Sequence, residues 1–515
     1  MSNPQKLVLC VIDAMAPAVL ERARREGVTP TLSALIERGL YVRECTAAFP
    51  SVTPVCAGSI TTGVWQDRHG IPGMNWYERE EERYVEYGSS LRAAQRFGIA
   101  RQLTDTVYNL NQAHLARDVP TIFEALDDAG VRTACTTYLV YRGRHRHEPR
   151  RDGVLTRLAS PIMRHSVLGP RELFYADIFA SREAPCSAVL GMPGIRDRHS
   201  ACVGAYLVEH DLFDMLLLSL PDNDWYSHKH GPDGQLRSLA LADAHLDRVV
   251  QAGGGLEEFL AAHAVVVLGD HAQAAISGSV DLFHELADLG VAPARGAPPK
   301  GARIAVCPSQ RAAMVYVLGD AEHERIRARV AARARGMAGV ELVCWMQRGA
   351  HGEPAEAVIA GPEGDELRFA PGGDRRDARG VAWSVEGEPG VLGMREDGGV
   401  LDAREYPDAL ARVWGALACE HSGDVLLSAA PDYEFADWGG QAHIRGGSHG
   451  SLRAEDSNTA LIACGLSTRV AEHAQWTICD VAPLVREHFG LDSSATRARA
   501  AGSARSHPRE AAERS

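Results

Sequence analysis

The sequence has no long hydrophobic run, no paired-cysteine motif, no glycine-rich phosphate loop and no excess of positive charge. Each absence removes a class of protein. The N-terminal stretch MSNPQKLVLCVIDAM carries an apolar run, but it is too short and, with Asp13, too polar for a signal h-region or a membrane span. No later segment does better, so no membrane association is expected. With 54 Lys and Arg against 67 Asp and Glu, the formal charge of −13 argues against a coat for nucleic-acid polymers or an anionic-membrane binder. A nucleotide substrate stays open, because a metal site supplies positive charge locally. The 11 cysteines are scattered, odd in number and without a CxxC pair. They read as the reduced thiols of a cytoplasmic protein. There is no internal repeat.

What is present centres on the stretch Cys45 to Tyr77, and within it on Pro50-Ser51-Val52-Thr53-Pro54. Small residues run from Val55 to Thr62 and stop at Gly63. This pattern predicts a helix that starts at Thr53, with Pro54 at the first helical position. A hydroxyl there faces unpaired N–H groups and the positive end of the helix dipole, which favour negative charge. An alkoxide on Thr53 and a phosphate beside it would both be stabilised. The plainer reading of an isolated Thr-Pro is an N-cap, so other residues have to decide.

They stand at the ends of predicted strands. Lys6 to Ile12 reads as a buried parallel strand, and Asp13 follows it at the edge where ligands collect in open α/β sheets. Phe213 to Leu220 is a second such strand and empties into Pro221-Asp222-Asn223-Asp224-Trp225-Tyr226-Ser227-His228-Lys229-His230. Asp224 and His228 are spaced so that one helical turn or a tight loop aims both at one ion. Their donor types suit zinc and manganese alike. Asp222 and His230 have the same chemistry and read as supporting or structural residues. Ala264 to Leu268 is a third strand, with Asp270 and His271 directly after it, and Gly446 to Gly450 presents His449 between glycines. Helices at Thr29 to Arg38, Thr121 to Ala129 and Leu236 to Gln251 alternate with these strands. The fold class is therefore α/β, a doubly wound and mostly parallel sheet with helices on both faces.

The remaining texture sets the domain organisation. Residues 1–280 and 407–492 read as the catalytic core, with Asp424 to Ser428 as one of its strands. Residues 281–406 read as an inserted α+β cap of short strands around one helix, Ala321 to Arg335. Residues 493–515, rich in Ala, Arg and Ser, read as a disordered tail. Glu78 to Arg117 is polar without a clear period and reads as a surface excursion. Tyr141 to Arg151 is the one concentrated basic run. It is either a solvated loop, the usual fate of charge runs, or a loop that meets an anionic substrate. Asn75 can donate its amide to a phosphoryl oxygen or serve a turn. Trp65, Trp76, Tyr77 and Trp225 can stack on a base, though packing is the commoner use of each.

Collected, Asp13, Thr53, Asp224, His228, Asp270, His271 and His449 divide into two ligand sets. Asp224, His228 and His449 suit one divalent ion; Asp13, Asp270, His271 and the Thr53 oxygen suit a second. Two ions about 4 Å apart clamp the attacking and leaving oxygens of an in-line displacement.

At this point the chain resembles the alkaline phosphatase superfamily, and within it the nucleotide pyrophosphatase/phosphodiesterase branch. The residues that carry the resemblance are VIDAM around Asp13, PSVT before a TG ending at Gly63, RHGI at His69, DWYSHKHGP from Asp224, GDH ending at His271 and GSHGS around His449. The resemblance implies two zinc ions, with manganese as the alternative, Thr53 as nucleophile, six Asp and His ligands and Asn75 as a phosphoryl contact. It implies a hydrolase of a small anionic phosphoester, a diester or pyrophosphate such as a nucleotide. A phosphomonoesterase or phosphonate hydrolase on the same site is the alternative, and an inactive metal-free binding protein is a third reading. The chain departs from the branch after Thr53, where Pro54 has no N–H to offer and Cys56 replaces an asparagine. The arylsulfatase branch is disfavoured because Cys56 lacks the neighbours of the formylglycine motif, and nothing resembles the serine motif of the phosphoglycerate mutases.

Overall fold

A computed structural model describes residues 5–150, 164–176, 178–187, 194, 196–296, 298–319, 322–467, 473 and 475–491. Its centre is a nine-stranded sheet. From one edge to the other the strands are Trp476–Thr477, Leu40–Thr46, Asn458–Cys464, His263–Leu268, Lys6–Ile12, Met215–Leu220, Thr133–Cys135, Glu172–Tyr175 and Phe179–Ala180. Lys6–Ile12 lies between Met215–Leu220 and His263–Leu268, parallel to both. This is the doubly wound, mostly parallel α/β sheet that the apolar runs predict.

The alternation of side chains explains why those runs are continuous. Leu7, Leu9 and Val11 point into one apolar layer, and Val8, Cys10 and Ile12 into the other. A strand covered on both faces needs no polar side. Helices Pro17–Arg25, Pro30–Arg38, Arg196–Glu209 and Gln235–Ala252 cover one face. Helices Thr53–Thr62, Ile122–Asp128 and Val481–His488 lie on the other. The Ile122–Asp128 helix begins with the capping box of Thr121 and Glu124.

A second nine-stranded sheet, mostly antiparallel, is built from Ile304–Ser309, Ala312–Val317, Val340–Arg348, Pro354–Ala360, Glu366–Asp377, Ala382–Gly387, Arg395–Asp397, Val400–Asp402 and Val425–Ala429. Val425–Ala429 corrects the expectation that Asp424 to Ser428 joins the core sheet. It pairs with Ala312–Val317 and Val340–Arg348 instead. Periodicity alone says that a strand is buried, and says nothing of which sheet buries it. The second sheet also shares an apolar layer with the first, because Ala305, Cys307, Met314, Leu342 and Ile359 pack in the same cluster as Leu7 and Leu9. The helix His323–Arg335 covers its other face through Ile326, Val330 and Ala334.

Two further expectations change. The stretch 78–117 runs over the surface for most of its length but is built of regular elements that pack in part, with a strand Arg83–Glu86, helices Leu91–Phe97 and Ile99–Thr104 and a π-helical turn Asp105–His114. Its buried Tyr84, Tyr87, Phe97 and Leu110 are spaced irregularly, which hides them from a periodicity reading. The cysteines are not all reduced: Cys186 and Cys202 form a disulfide, their Cα atoms 5.7 Å apart, while nine others are free and buried. The pair is separated by 16 residues in the chain and its second member lies in the middle of the Arg196–Glu209 helix, so no local motif announces it. No helix among the described residues is long and apolar enough to cross a membrane. The expected tail, 493–515, lies outside the described residues.

Candidate active site

Strand register assembles the site. Ile12 is paired with Leu220, and Val11 with Leu268. The three strands therefore end level, and Asp13, the Asp222–His230 helix and the Asp270-His271 pair leave the sheet at one edge. Asp13 N–H donates to the Leu220 carbonyl, and the Asn223 amide donates to the Asp13 carbonyl. Asp224 and His228 sit one turn apart on the helix, with His228 Nε2 3.3 Å from an Asp224 oxygen.

His271 is at the centre. Its Nε2 is 3.6 Å from Asp13 Oδ1, 3.5 Å from Asp270 Oδ2 and 3.4 Å from Thr53 Oγ1. Its ring stacks on that of His449 with centroids 3.7 Å apart, and His449 Nε2 lies 3.6 Å from Asp224 Oδ1. Ligand atoms of Asp13, Asp270 and His271 form one close triad, and those of Asp224, His271 and His449 another. His271 thus belongs to both, whereas the sequence reading placed it in one set and His228 in the other; His228 is held on Asp224.

The three imidazoles share a second feature. His228 Nδ1 meets the Gly447 carbonyl at 2.8 Å, His271 Nδ1 the Ala272 carbonyl at 3.0 Å and His449 Nδ1 the Ser51 carbonyl at 2.6 Å. A carbonyl only accepts, so each Nδ1 carries a proton and each Nε2 is the ring nitrogen turned toward the carboxylates. This is the tautomer a metal-binding imidazole needs.

The electrostatics fit a cation. Asp13 Oδ1 and Asp270 Oδ2 are buried and have no hydrogen-bond donor among the described residues. Burial first, then the charges of Asp270 and Asp224, push the Asp13 carboxyl well above its ordinary range. Burial would raise Asp224 as well, but His228, then His449 and His271, pull it below its ordinary value. Burial and the neighbouring His271 drive His449 far down, so it stays neutral. Buried carboxylate oxygens without donors beside the Nε2 atoms of His228, His271 and His449 form a donor set that divalent zinc or manganese satisfies.

Thr53 begins the predicted helix, Thr53–Thr62, which closes at Gly63 with φ of 77°. Val52 rather than Thr53 is its N-cap residue, and no side chain caps it. The N-cap reading of Thr53 is thereby corrected: the hydroxyl is left facing His271. The small residues of this helix permit close approach. A Cβ on Gly58 would stand 2.9 Å from the His69 ring, which is fully buried and held by Ser59 and the Ile71 N–H. Burial lowers His69 to about 3, so the RHGI histidine is a neutral packing element.

Asn75 is placed otherwise than expected. Its amide nitrogen donates to the Pro308 carbonyl at 2.5 Å and to Ser89 Oγ at 3.4 Å. One contact joins the Asn75–Glu78 strand to the second sheet at Pro308 and the other holds Ser89 in the loop after Arg83–Glu86, so both amide protons are engaged within the protein. The basic run is also internally engaged. Arg142 and Arg144 pair with Glu124, Arg144 also with Asp128, and Arg146 with Glu148. Tyr141, Arg142 and His147 are buried while Arg144, His145 and Arg146 are exposed, so the run is only in part the solvated loop; Arg151 lies outside the described residues. Asp222 accepts from the N–H groups of Gly194 and Asp197 and from Arg196, a structural role. His230 packs on Tyr226. Trp76 and Tyr77 are core residues.

The sequence reading missed several neighbours. Gln273 donates to Asp224 Oδ1, and Glu434 accepts from His443, whose ring stacks 4.2 Å from that of His228. The Tyr138 hydroxyl is buried without a partner and feels the charges of Asp270 and Asp13. Only the Gln273 position, two residues past His271, carried any local signal.

The model of the family described as type I phosphodiesterase / nucleotide pyrophosphatase matches residues 7–359. No curated protein matches the chain. Among solved structures, phosphonoacetate hydrolase from Sinorhizobium meliloti in complex with phosphonoformate is similar, with a TM-score of 0.55 and 16% identity over 95% of this chain and 96% of that one. An inactive variant of murine ectonucleotide pyrophosphatase/phosphodiesterase 5, in complex with AMP, has a TM-score of 0.56 and 12% identity over the same shares. With the family model spanning more than half of its length, the chain belongs to the type I phosphodiesterase/nucleotide pyrophosphatase family, hydrolases of the alkaline phosphatase superfamily.

Proposed function

We propose that the protein hydrolyses a small phosphodiester or pyrophosphate through a threonyl-phosphate intermediate at a two-metal site. The observation that carries this reading is the position of the Thr53 hydroxyl, 3.4 Å from His271 Nε2 at the start of a helix. Asp224, His228 and His449 would hold one ion, and Asp13, Asp270, His271 and Thr53 the other. When bound, zinc or manganese supplies Lewis acidity and neutralises charge at phosphorus.

The chain's own residues do the rest. Thr53 stands at the start of the Thr53–Thr62 helix, so the positive end of the helix dipole favours the negative charge that develops on its oxygen. Thr53 Oγ1 bonds to phosphorus as the bond to the leaving oxygen breaks, and the leaving group takes up the proton the threonine gave. Water then opens the threonyl-phosphate and returns a proton to Thr53, which is ordinary covalent catalysis. The backbone carbonyls of Gly447, Ala272 and Ser51 keep the three imidazoles in one tautomer throughout.

Phosphonate hydrolysis is the second reading, supported by the fold shared with a phosphonoacetate hydrolase. Phosphomonoester hydrolysis on the same site is a third. The sequence reading placed the protein in the cytoplasm, and the Cys186–Cys202 disulfide is the observation that speaks against that placement.

The test is a panel of bis-p-nitrophenyl phosphate, p-nitrophenyl phosphate, AMP esters and phosphonoacetate, run with zinc and with manganese after chelation. A preference of tenfold or more in kcat/KM for diesters supports the first reading. A preference for the monoester or the phosphonate replaces it. Less than one equivalent of transition metal after gentle purification, with no turnover on any substrate, returns the inactive binding protein.

A further inference from the structure

We propose that Arg311, contributed by the second sheet, is a positioning residue for His449 and acts through Asp456 and Ser451. The inference rests on the reading of His449 as a metal ligand and deepens it. Arg311 lies in the turn between Ile304–Ser309 and Ala312–Val317, with its side chain wholly buried. Its backbone N–H donates to the His449 carbonyl at 2.9 Å. Its guanidinium pairs with Glu455 at 2.8 Å and Asp456 at 3.2 Å, and donates to the Tyr433 and Ala430 carbonyls.

Asp456 passes the constraint on. Its carboxylate accepts from Ser451 N–H at 2.8 Å and from Ser451 Oγ at 2.6 Å, two residues beyond His449. Its backbone carbonyl accepts from the Ala272 N–H at 3.2 Å, one residue beyond His271. One buried aspartate thus ties together the loops that carry two adjacent imidazoles, and one buried arginine ties that aspartate to the second sheet. Gly450 completes the contact. It has a φ of +119°, and a Cβ there would stand 2.8 Å from the Ser309 carbonyl oxygen. The loop therefore lies backbone to backbone on the same turn.

This arrangement differs from general packing between sheets, because the hydrogen bonds converge on the neighbours of His449 and His271. A ligand imidazole has to be held within about half an ångström of its working position. A glycine-flanked loop cannot do that alone, since glycine leaves the backbone free. A buried charged pair whose guanidinium nitrogens are all engaged is costly to disturb. The second sheet is accordingly a wall of the site and not a lid over it.

The test uses the full chain with Asp456→Asn, which is isosteric, and Arg311→Lys, which keeps the charge and loses the fork. Each is stripped of metal and titrated with Co2+, followed by visible absorption, and zinc equivalents are counted after gel filtration. The expected result is wild-type circular dichroism, one of two ions bound about 10- to 100-fold more weakly, and a fall in kcat larger than any change in KM. Wild-type ion affinity in both folded variants overturns the proposal. A lower Tm of the metal-free protein with unchanged ion affinity overturns it too, since that is a structural role alone. If both variants fail to fold, Ser451→Ala removes a single hydroxyl from Asp456. The same weakening there supports the proposal, and its absence overturns it. His449→Ala separates the two levels. If it keeps both ions at full affinity, the ligand reading fails and the inference with it. If it loses one while Asp456→Asn and Arg311→Lys keep two, only the inference fails.

Discussion

The Thr53 hydroxyl oxygen stands 3.4 Å from His271 Nε2, and the helix it begins makes no use of it as a cap. A capping threonine costs about 1 kcal/mol when replaced by alanine. Thr53→Ala is therefore expected to leave Tm within about a degree of the parent while lowering kcat by roughly 10³-fold or more, with metal content intact. Calorimetry and metal analysis beside the assay check this. Wild-type turnover in Thr53→Ala removes the nucleophile assignment.

Asn75 separates a structural from a catalytic use. Its amide holds the Pro308 carbonyl and Ser89, so Asn75→Ala strands a buried acceptor. The expected cost is about 1–3 kcal/mol of stability, with kcat/KM per folded molecule changed less than tenfold. A loss of 100-fold in kcat/KM at unchanged Tm would return Asn75 to the phosphoryl group.

Asp408 gives a pH dependence away from the metal ligands. Burial, opposed by Arg379, raises its carboxyl to about 7, and neither oxygen has a hydrogen-bond partner among the described residues. The unfolded carboxyl titrates near 3.9, so between these values the folded chain binds more protons than the unfolded one. Stability from this group is thus present below pH 4, lost as pH rises through about 7, and constant above. Asp408→Asn removes the titration and also suits the residue's φ of 51°. Thermal melts should show the variant gaining on the parent from pH 5 to pH 8, by a few degrees at most. A parallel pair of curves rules the mechanism out.

The cysteines can be counted directly. Alkylation of the denatured protein without reductant should label nine thiols, and with reductant eleven. Mass spectrometry reads the difference, and a peptide joining Cys186 to Cys202 identifies the pair. Eleven labelled thiols without reductant would restore the fully reduced reading of the sequence.

Metal removal gives a last expectation. Because Asp13 and Asp270 keep unpaired buried oxygens, chelation should lower Tm, and saturating zinc should restore it. An ion at 100 times its Kd stabilises by about 2.7 kcal/mol. Equal melting with and without metal shows that no ion is held.

The local chemistry of the site was legible in the chain because it is written at strand ends. A continuous apolar run followed at once by Asp13, by Asp270 and His271, or shortly by Asp224 and His228, shows a buried strand and a polar edge without any knowledge of neighbours. The helix from Thr53 to Gly63 was equally plain, since Pro, small residues and a terminal glycine act over a few residues of sequence. What tertiary structure alone decided involves partners far apart in the chain. Val425–Ala429 reads the same in either sheet, and pairing assigns it to the second. Asn75 carries the same amide whether it meets phosphate or Pro308. Arg311 and Asp456 are ordinary charges until folding brings them to His449, 138 and 7 positions away. Short-range propensity and periodicity act within one element, whereas hydrogen bonds and burial between elements depend on which surfaces meet.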